Sequence, residues 1–194
     1  MRLILVTGGA RSGKSAYAQR RSLELGGDDV TVIATARPCD EEMARRIARH
    51  RAARPAHWRT VEVPTNASVA VQAAATGVIL LDCITVLLAN VLLEAEAGDE
   101  EAALAAMATE TSALLEAAAA REGTLIAVTN EVGLGIVPDG KLGRWFRDGL
   151  GMANQRLAGP AQEVVLLVCG LPMPLKPRVG GAMHTRVRFE PDDT

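Results

Sequence analysis

Residues Gly8-Gly9-Ala10-Arg11-Ser12-Gly13-Lys14-Ser15 constrain the fold of this chain more than any other stretch. An apolar run, residues 3–6, leads into them, and a helix-compatible run, residues 16–25, follows. This is G-x-x-x-x-G-K-[ST] in its confirming context of strand, loop and helix. Glycines let successive backbone N–H groups turn inward around phosphate oxygens, where side chains would obstruct. Lys14 supplies a point charge for the β- and γ-phosphates, and Ser15 a hydroxyl for Mg²⁺. The helix that starts there adds its positive dipole end. A glycine-rich turn without a ligand needs no lysine and serine at its close, so the segment reads as a nucleoside triphosphate site.

The rest of the chain repeats the strand-then-helix theme. Residues 3–6, 30–34, 78–81, 124–128 and 164–168 are short and nearly all apolar, as strands buried on both faces of a parallel sheet are. Helix patterns fall between them at 15–25, 41–53, 84–95, 100–121 and 142–157, with a short strand at 58–63 and a short helix at 67–75. Such alternation predicts an α/β fold of P-loop NTPase type, a mostly parallel sheet with helices on both faces. Residues 1–176 read as one domain. The proline-rich stretch 172–177 and Gly180-Gly181 predict that regular structure ends near Leu171. The tail, 177–194, is expected to be one added strand or disordered.

Net charge is −2, so no global field recruits nucleic acid or an anionic membrane. Aromatic residues are only 3%, too few for the stacking platforms of a single-strand binder. No apolar stretch reaches membrane-spanning length, and Met1 runs directly into the first strand, so no cleavable signal is expected. Cys39, Cys83 and Cys169 form no C-x-x-C pair and suggest neither zinc nor a disulfide framework. Cys83 and Cys169 read as small buried hydrophobes. A reducing, cytoplasmic compartment follows.

A P-loop protein needs a carboxylate at the end of a neighbouring strand. Val78-Ile79-Leu80-Leu81-Asp82 provides one, although Asp82 would equally cap the helix that starts at Ile84. Thr129-Asn130-Glu131 closes a second strand in the same way and belongs to the same rim, outside the carboxyl ends of the strands. Neither an Asn-Lys-x-Asp signature nor a protein-kinase His-Arg-Asp segment is present, which leaves a small-molecule kinase.

Residues 45–59 are rich in arginine and hold two histidines, His50 and His57. Guanidinium forks suit phosphate oxygens, but a solvated helix face has the same composition. Pro55 ends the helix near Arg54 and places His50 in its last turn. A neutral imidazole near phosphates can act as nucleophile or base. His57, beside Trp58, reads as structural.

Taken in order, the segments 7–15, Arg54-Pro55-Ala56-His57-Trp58-Arg59-Thr60, Leu81-Asp82-Cys83-Ile84-Thr85, residues 129–138 and Asn154-Gln155-Arg156-Leu157-Ala158 resemble the bifunctional adenosylcobinamide kinase / adenosylcobinamide-phosphate guanylyltransferases of cobalamin biosynthesis. The resemblance spans residues 1–176. It implies that ATP or GTP phosphorylates adenosylcobinamide. GTP then guanylylates a histidine with loss of pyrophosphate, and the GMP passes to adenosylcobinamide phosphate to give adenosylcobinamide-GDP. By position, His50 matches the guanylylated histidine. Thr35, Ala36 and Arg37 match a nucleotide-contacting turn, and Arg51, Ala52, Ala53 and Arg54 match further GTP contacts. Glu62 and Asp82 match carboxylates that read guanine or ribose or serve the metal. The resemblance further implies a homotrimer. Arg49 stands where some relatives carry a second histidine, and Asp82 where a glutamate is also found. The alternative is a P-loop kinase of another small alcohol that forms no covalent GMP-enzyme.

Overall fold

The computed structural model describes residues 1–96 and 98–176. The expected tail therefore lies outside the described residues. Seven strands form one sheet: β1 (Arg2–Gly8), β2 (Val30–Ala34), β3 (Arg59–Glu62), β4 (Val78–Asp82), β5 (Thr124–Val128), β6 (Glu163–Val168) and β7 (Leu171–Lys176). Their spatial order is β3-β2-β4-β5-β1-β6-β7, with every pair parallel except β6 and β7. The helices are α1 (Lys14–Gly26), α2 (Glu41–Ala52), α3 (Ala67–Ala73), α4 (Ile84–Glu94), α5 (Glu100–Ala119) and α6 (Lys141–Ala158). The expected fold class is the one observed.

Apolar residues of alternate parity along each strand go to opposite faces, so the sheet carries two cores. Leu3, Leu5, Ile79, Leu81, Leu125 and Ala127 join residues of α3, α4, α5 and α6 on one side. Ile4, Val6, Val32, Leu80, Ile126 and Val128 join Ala18 of α1 and Trp58 on the other. Such double burial leaves no room for polar alternation, which is why the strands read as unbroken apolar runs.

Register aligns the carboxyl ends of the strands. Ala34 lies beside both Asp82 and Glu62, and Asp82 beside Val128. The segments that follow β1, β2, β4 and β5, together with Glu62 itself, therefore share one edge of the sheet. At the opposite edge His57 Nε2 meets Asp28 Oδ1 at 2.8 Å, and the Trp58 indole N–H donates to the Gly27 carbonyl at 2.9 Å. His57 thus lies away from the carboxyl ends of the strands, paired with Asp28 at the surface.

Two expectations are corrected. Regular structure continues past Leu171, because β7 pairs antiparallel with β6 along residues 171–176. Pro172 and Pro174 are two residues apart, so their missing N–H groups fall on the same, unpaired side of an edge strand, where no donor is required. Cys169 is exposed rather than buried. It forms, with Gly170, the two-residue turn of this hairpin, with φ of 51° and 79°, the primed geometry that matches strand twist.

Candidate active site

The loop between β1 and α1 is built by conformations that favour glycine. Gly8 and Gly13 have φ of 146° and 94°. A Cβ at Gly8 would lie 2.5 Å from the Leu167 carbonyl oxygen and 2.9 Å from Ser12 Oγ. The β6–β7 turn braces the loop from outside. The Gly170 N–H donates to the Ser12 carbonyl at 3.0 Å, and a Cβ at Gly13 would come within 3.2 Å of Gly170 Cα. Gly9, Ala10 and Arg11 stay exposed, while Ser12 and Lys14 are buried. Among the described residues Ser12 Oγ has no hydrogen-bond partner. A buried, unsatisfied hydroxyl in a loop whose backbone conformation and close approaches require glycine at both ends fits a phosphate cradle. The Lys14 ammonium donates to the Gly9 carbonyl. Burial lowers its pKa, with Arg46 adding to the effect and Cys83 and Asp82 opposing it.

Asp82 ends β4 as expected, but it caps no helix: Cys83 is the N-cap of α4 and makes no side-chain cap. The Asp82 carboxylate instead gathers two groups from the end of α2. His50 Nδ1 lies 3.7 Å from Oδ2, and Arg54 Nη2 3.6 Å from the same oxygen. The Arg54 side chain is only 7% exposed, and burial lowers its pKa while Asp82 opposes the shift. Arg54 Nε is buried with no partner among the described residues, a second unsatisfied group at the site.

Helix α2 buries none of its residues, so in packing terms it is the solvated face its composition allowed. Its start is capped by Asp40, whose carboxylate accepts from the Met43 N–H at 2.7 Å. Its last turn holds His50 and Arg51, Ala52 is its final residue, and Ala53 caps it with an N–H donated to the Arg49 carbonyl at 3.0 Å. Arg51 and Glu62 face one another at 3.7 Å, both exposed.

Not every expected contact converges. Thr35 is fully buried, and its hydroxyl donates to the Cys83 carbonyl at 2.8 Å and accepts from the Cys83 N–H at 2.9 Å. Its side chain thus fixes the end of β4. Ala36 is half-buried beside it, and Arg37 pairs with Glu94 on the surface. Ser15 lies in the first turn of α1, so its hydroxyl and the Asp82 carboxylate are the hard oxygen donors suited to Mg²⁺. Among the described residues no cluster of three or more His, Cys, Asp or Glu forms a metal-only cage.

A further network escaped residue-level assignment. The Thr7 hydroxyl donates to Glu131 Oε1 at 2.7 Å, and Asn154 Nδ2 reaches the same oxygen at 3.3 Å. The Glu131 N–H donates to the Gly8 carbonyl at 3.2 Å. Thr129 donates to Asn154 Oδ1 at 2.7 Å, and the Asn130 N–H to Thr85 Oγ1 at 2.9 Å. The polar close of β5 was the visible signal, whereas Gly170, which braces the loop, carried none.

Comparison with known proteins identifies the family. The family model for cobinamide kinase / cobinamide phosphate guanyltransferase matches residues 4–175. The bifunctional adenosylcobalamin biosynthesis protein CobP of Pseudomonas aeruginosa is 47% identical over 174 residues, covering 89% of this chain and 96% of the relative. The bifunctional adenosylcobalamin biosynthesis protein CobU of Salmonella typhimurium is 44% identical over 184 residues, covering 90% of this chain and 99% of its own. The protein of the same name from Escherichia coli is 41% identical over 182 residues, with the same coverage. Among solved structures, an ATPase domain superposes with a TM-score of 0.50 at 10% identity, over 85% of this chain and 68% of that one, a likeness of fold alone. With a family model spanning nearly its whole length, the chain belongs to the cobinamide kinase / cobinamide phosphate guanyltransferase family of bifunctional enzymes.

Proposed function

We propose that this chain phosphorylates adenosylcobinamide with ATP or GTP and then transfers GMP from GTP, through His50, to adenosylcobinamide phosphate. The observation that carries the reading is the gathering of His50 and Arg54 on Asp82, in the electrostatic field of the P-loop lysine.

In the first reaction the loop amides, Lys14 and the α1 N-terminus hold the triphosphate, and the acceptor hydroxyl attacks the γ-phosphorus in line. Mg²⁺ would be held by Ser15 and Asp82, and it supplies charge neutralisation between phosphates. In the second reaction His50 attacks the α-phosphorus of GTP and pyrophosphate leaves. A carboxylate facing Nδ1 favours the tautomer with its proton there and leaves Nε2 as the nucleophile. The phosphoramidate then passes GMP to a phosphate oxygen of the acceptor, and the leaving imidazole takes up a proton. Arg51 and Arg54, with Ala52, Ala53 and Glu62, form the nucleotide side of the site, and Ala36 and Arg37 border it through the backbone beyond β2, which Thr35 holds in place. Arg54 offers its unsatisfied Nε to the developing charge.

Residues 1–176 act as one P-loop domain, supported by the single sheet that runs through them. The compartment is the cytoplasm, consistent with three free cysteines, two of them exposed. No helix among the described residues is long and apolar enough to cross a membrane. The assembly is a homotrimer. Leu171, Met173 and Leu175 on β7 are each about half-exposed, an apolar edge suited to a subunit contact.

The test is product analysis with adenosylcobinamide and Mg²⁺. Phosphorylated acceptor is expected with ATP, and adenosylcobinamide-GDP with pyrophosphate only when GTP is present. Phosphorylation with no guanylylated product under any condition would reduce the chain to a kinase.

A further inference from the structure

Glu131 differs from the other carboxylates of the site edge. Asp82 faces Arg54 and His50, and Glu62 faces Arg51, whereas among the described residues Glu131 forms no ion pair. Its hydrogen bonds from Thr7 and Asn154 both end on Oε1, so among the described residues Oε2 is uncommitted. The carboxylate is nevertheless firmly placed. Its own N–H is bonded to the first glycine of the loop, Thr7 belongs to β1, and Asn154 is held from α6 by Thr129 and by the Asn130 carbonyl at 3.0 Å. A tie between β1 and α6 alone needs only a neutral acceptor. The chain directly beyond turns apolar side chains to solvent: Leu134 is 82%, Ile136 96% and Val137 56% exposed. That character suits an approaching bulky acceptor and not a phosphate.

We propose that Glu131 is the base of the kinase half-reaction, an assignment that rests on the function proposed above. The acceptor oxygen forms a bond to the γ-phosphorus as the bond to the β–γ bridging oxygen breaks. The electron pair leaves with the nucleoside diphosphate, and the hydroxyl proton passes to Glu131 Oε2. Formation of the GMP-enzyme involves no acceptor hydroxyl and does not use this carboxylate.

The experiment measures the two half-reactions separately in Glu131→Gln, which keeps an acceptor for Thr7 and removes only the basic oxygen. Phosphorylation of adenosylcobinamide by ATP should lose about 100-fold in kcat with KM for ATP nearly unchanged. The GMP adduct formed from GTP alone should reach wild-type stoichiometry, which also reports that the variant is folded. A kinase kcat within about threefold of wild type would overturn the assignment, as would equal loss of both half-reactions. A wild-type enzyme that does not phosphorylate adenosylcobinamide would instead overturn the proposed function, and this assignment with it.

Discussion

Lys14 and His50 stand on different elements, and under the proposed function they should separate by what each reaction needs. Lys14→Ala removes the point charge over the phosphates, so both reactions should fall by about 100-fold or more in kcat/KM. His50→Asn keeps a group opposite Asp82 but has no nucleophilic nitrogen, so guanylyl transfer should vanish while kinase kcat stays within about threefold. Cys83 offers a chemical check on the ground beneath the site. Burial, with Asp82 adding to it, pushes its thiol up to about 11, so it stays protonated far above neutral pH. Iodoacetamide at pH 8 should label exposed Cys39 and Cys169 well before Cys83, as read by peptide mapping. Prompt labelling of Cys83 would show that the end of β4 is open to solvent.

Helix α2 presents His50 without contributing to either core. With no buried residue, it depends on its Asp40 cap and on the contacts that His50, Arg51 and the following Arg54 make with Asp82 and Glu62. Asp40→Ala should cost about 1 kcal/mol of local helix stability. Amide exchange in residues 43–49 should then accelerate while β1, β4 and β5 stay protected, and GMP-enzyme formation should slow. Unchanged exchange would mean that unseen contacts hold the helix. The carboxyl-terminal boundary of α2 was legible because the Arg54-Pro55 break is a local signal. Strand β7 was not. Alternating prolines read as a terminator wherever both sides of a strand must be paired, and only the sheet order reveals an edge. The brace from Gly170 was hidden for a related reason: nothing local ties a hairpin turn to a loop near the other end of the chain.

Across the whole molecule, the sheet delivers the loop, Asp82, Glu62 and the β5 terminus to one edge, and for all but Glu62 that placement followed from apolar strands ending in polar residues. What sequence could not give is which polar groups meet. Asp82 gathers His50 and Arg54, while Thr35 turns inward to hold the backbone at Cys83. The far side of β1 is anchored by Glu163, 1% exposed, which pairs with Arg2 and with buried Arg21. Glu163→Ala would leave Arg21 buried without this carboxylate, and a loss of about 3–5 kcal/mol in denaturant unfolding is expected. A loss below about 1 kcal/mol would show that Glu24, 3.0 Å from Arg21, or water compensates the guanidinium. The central claim, covalent transfer through His50, is tested most directly by intact mass after incubation with GTP and Mg²⁺, with the protein run in acid and in neutral solvent. A gain of one GMP that is acid-labile and absent in His50→Asn is the expected result. A wild-type protein that turns over GTP yet carries no adduct, or an adduct that persists in His50→Asn, would contradict it.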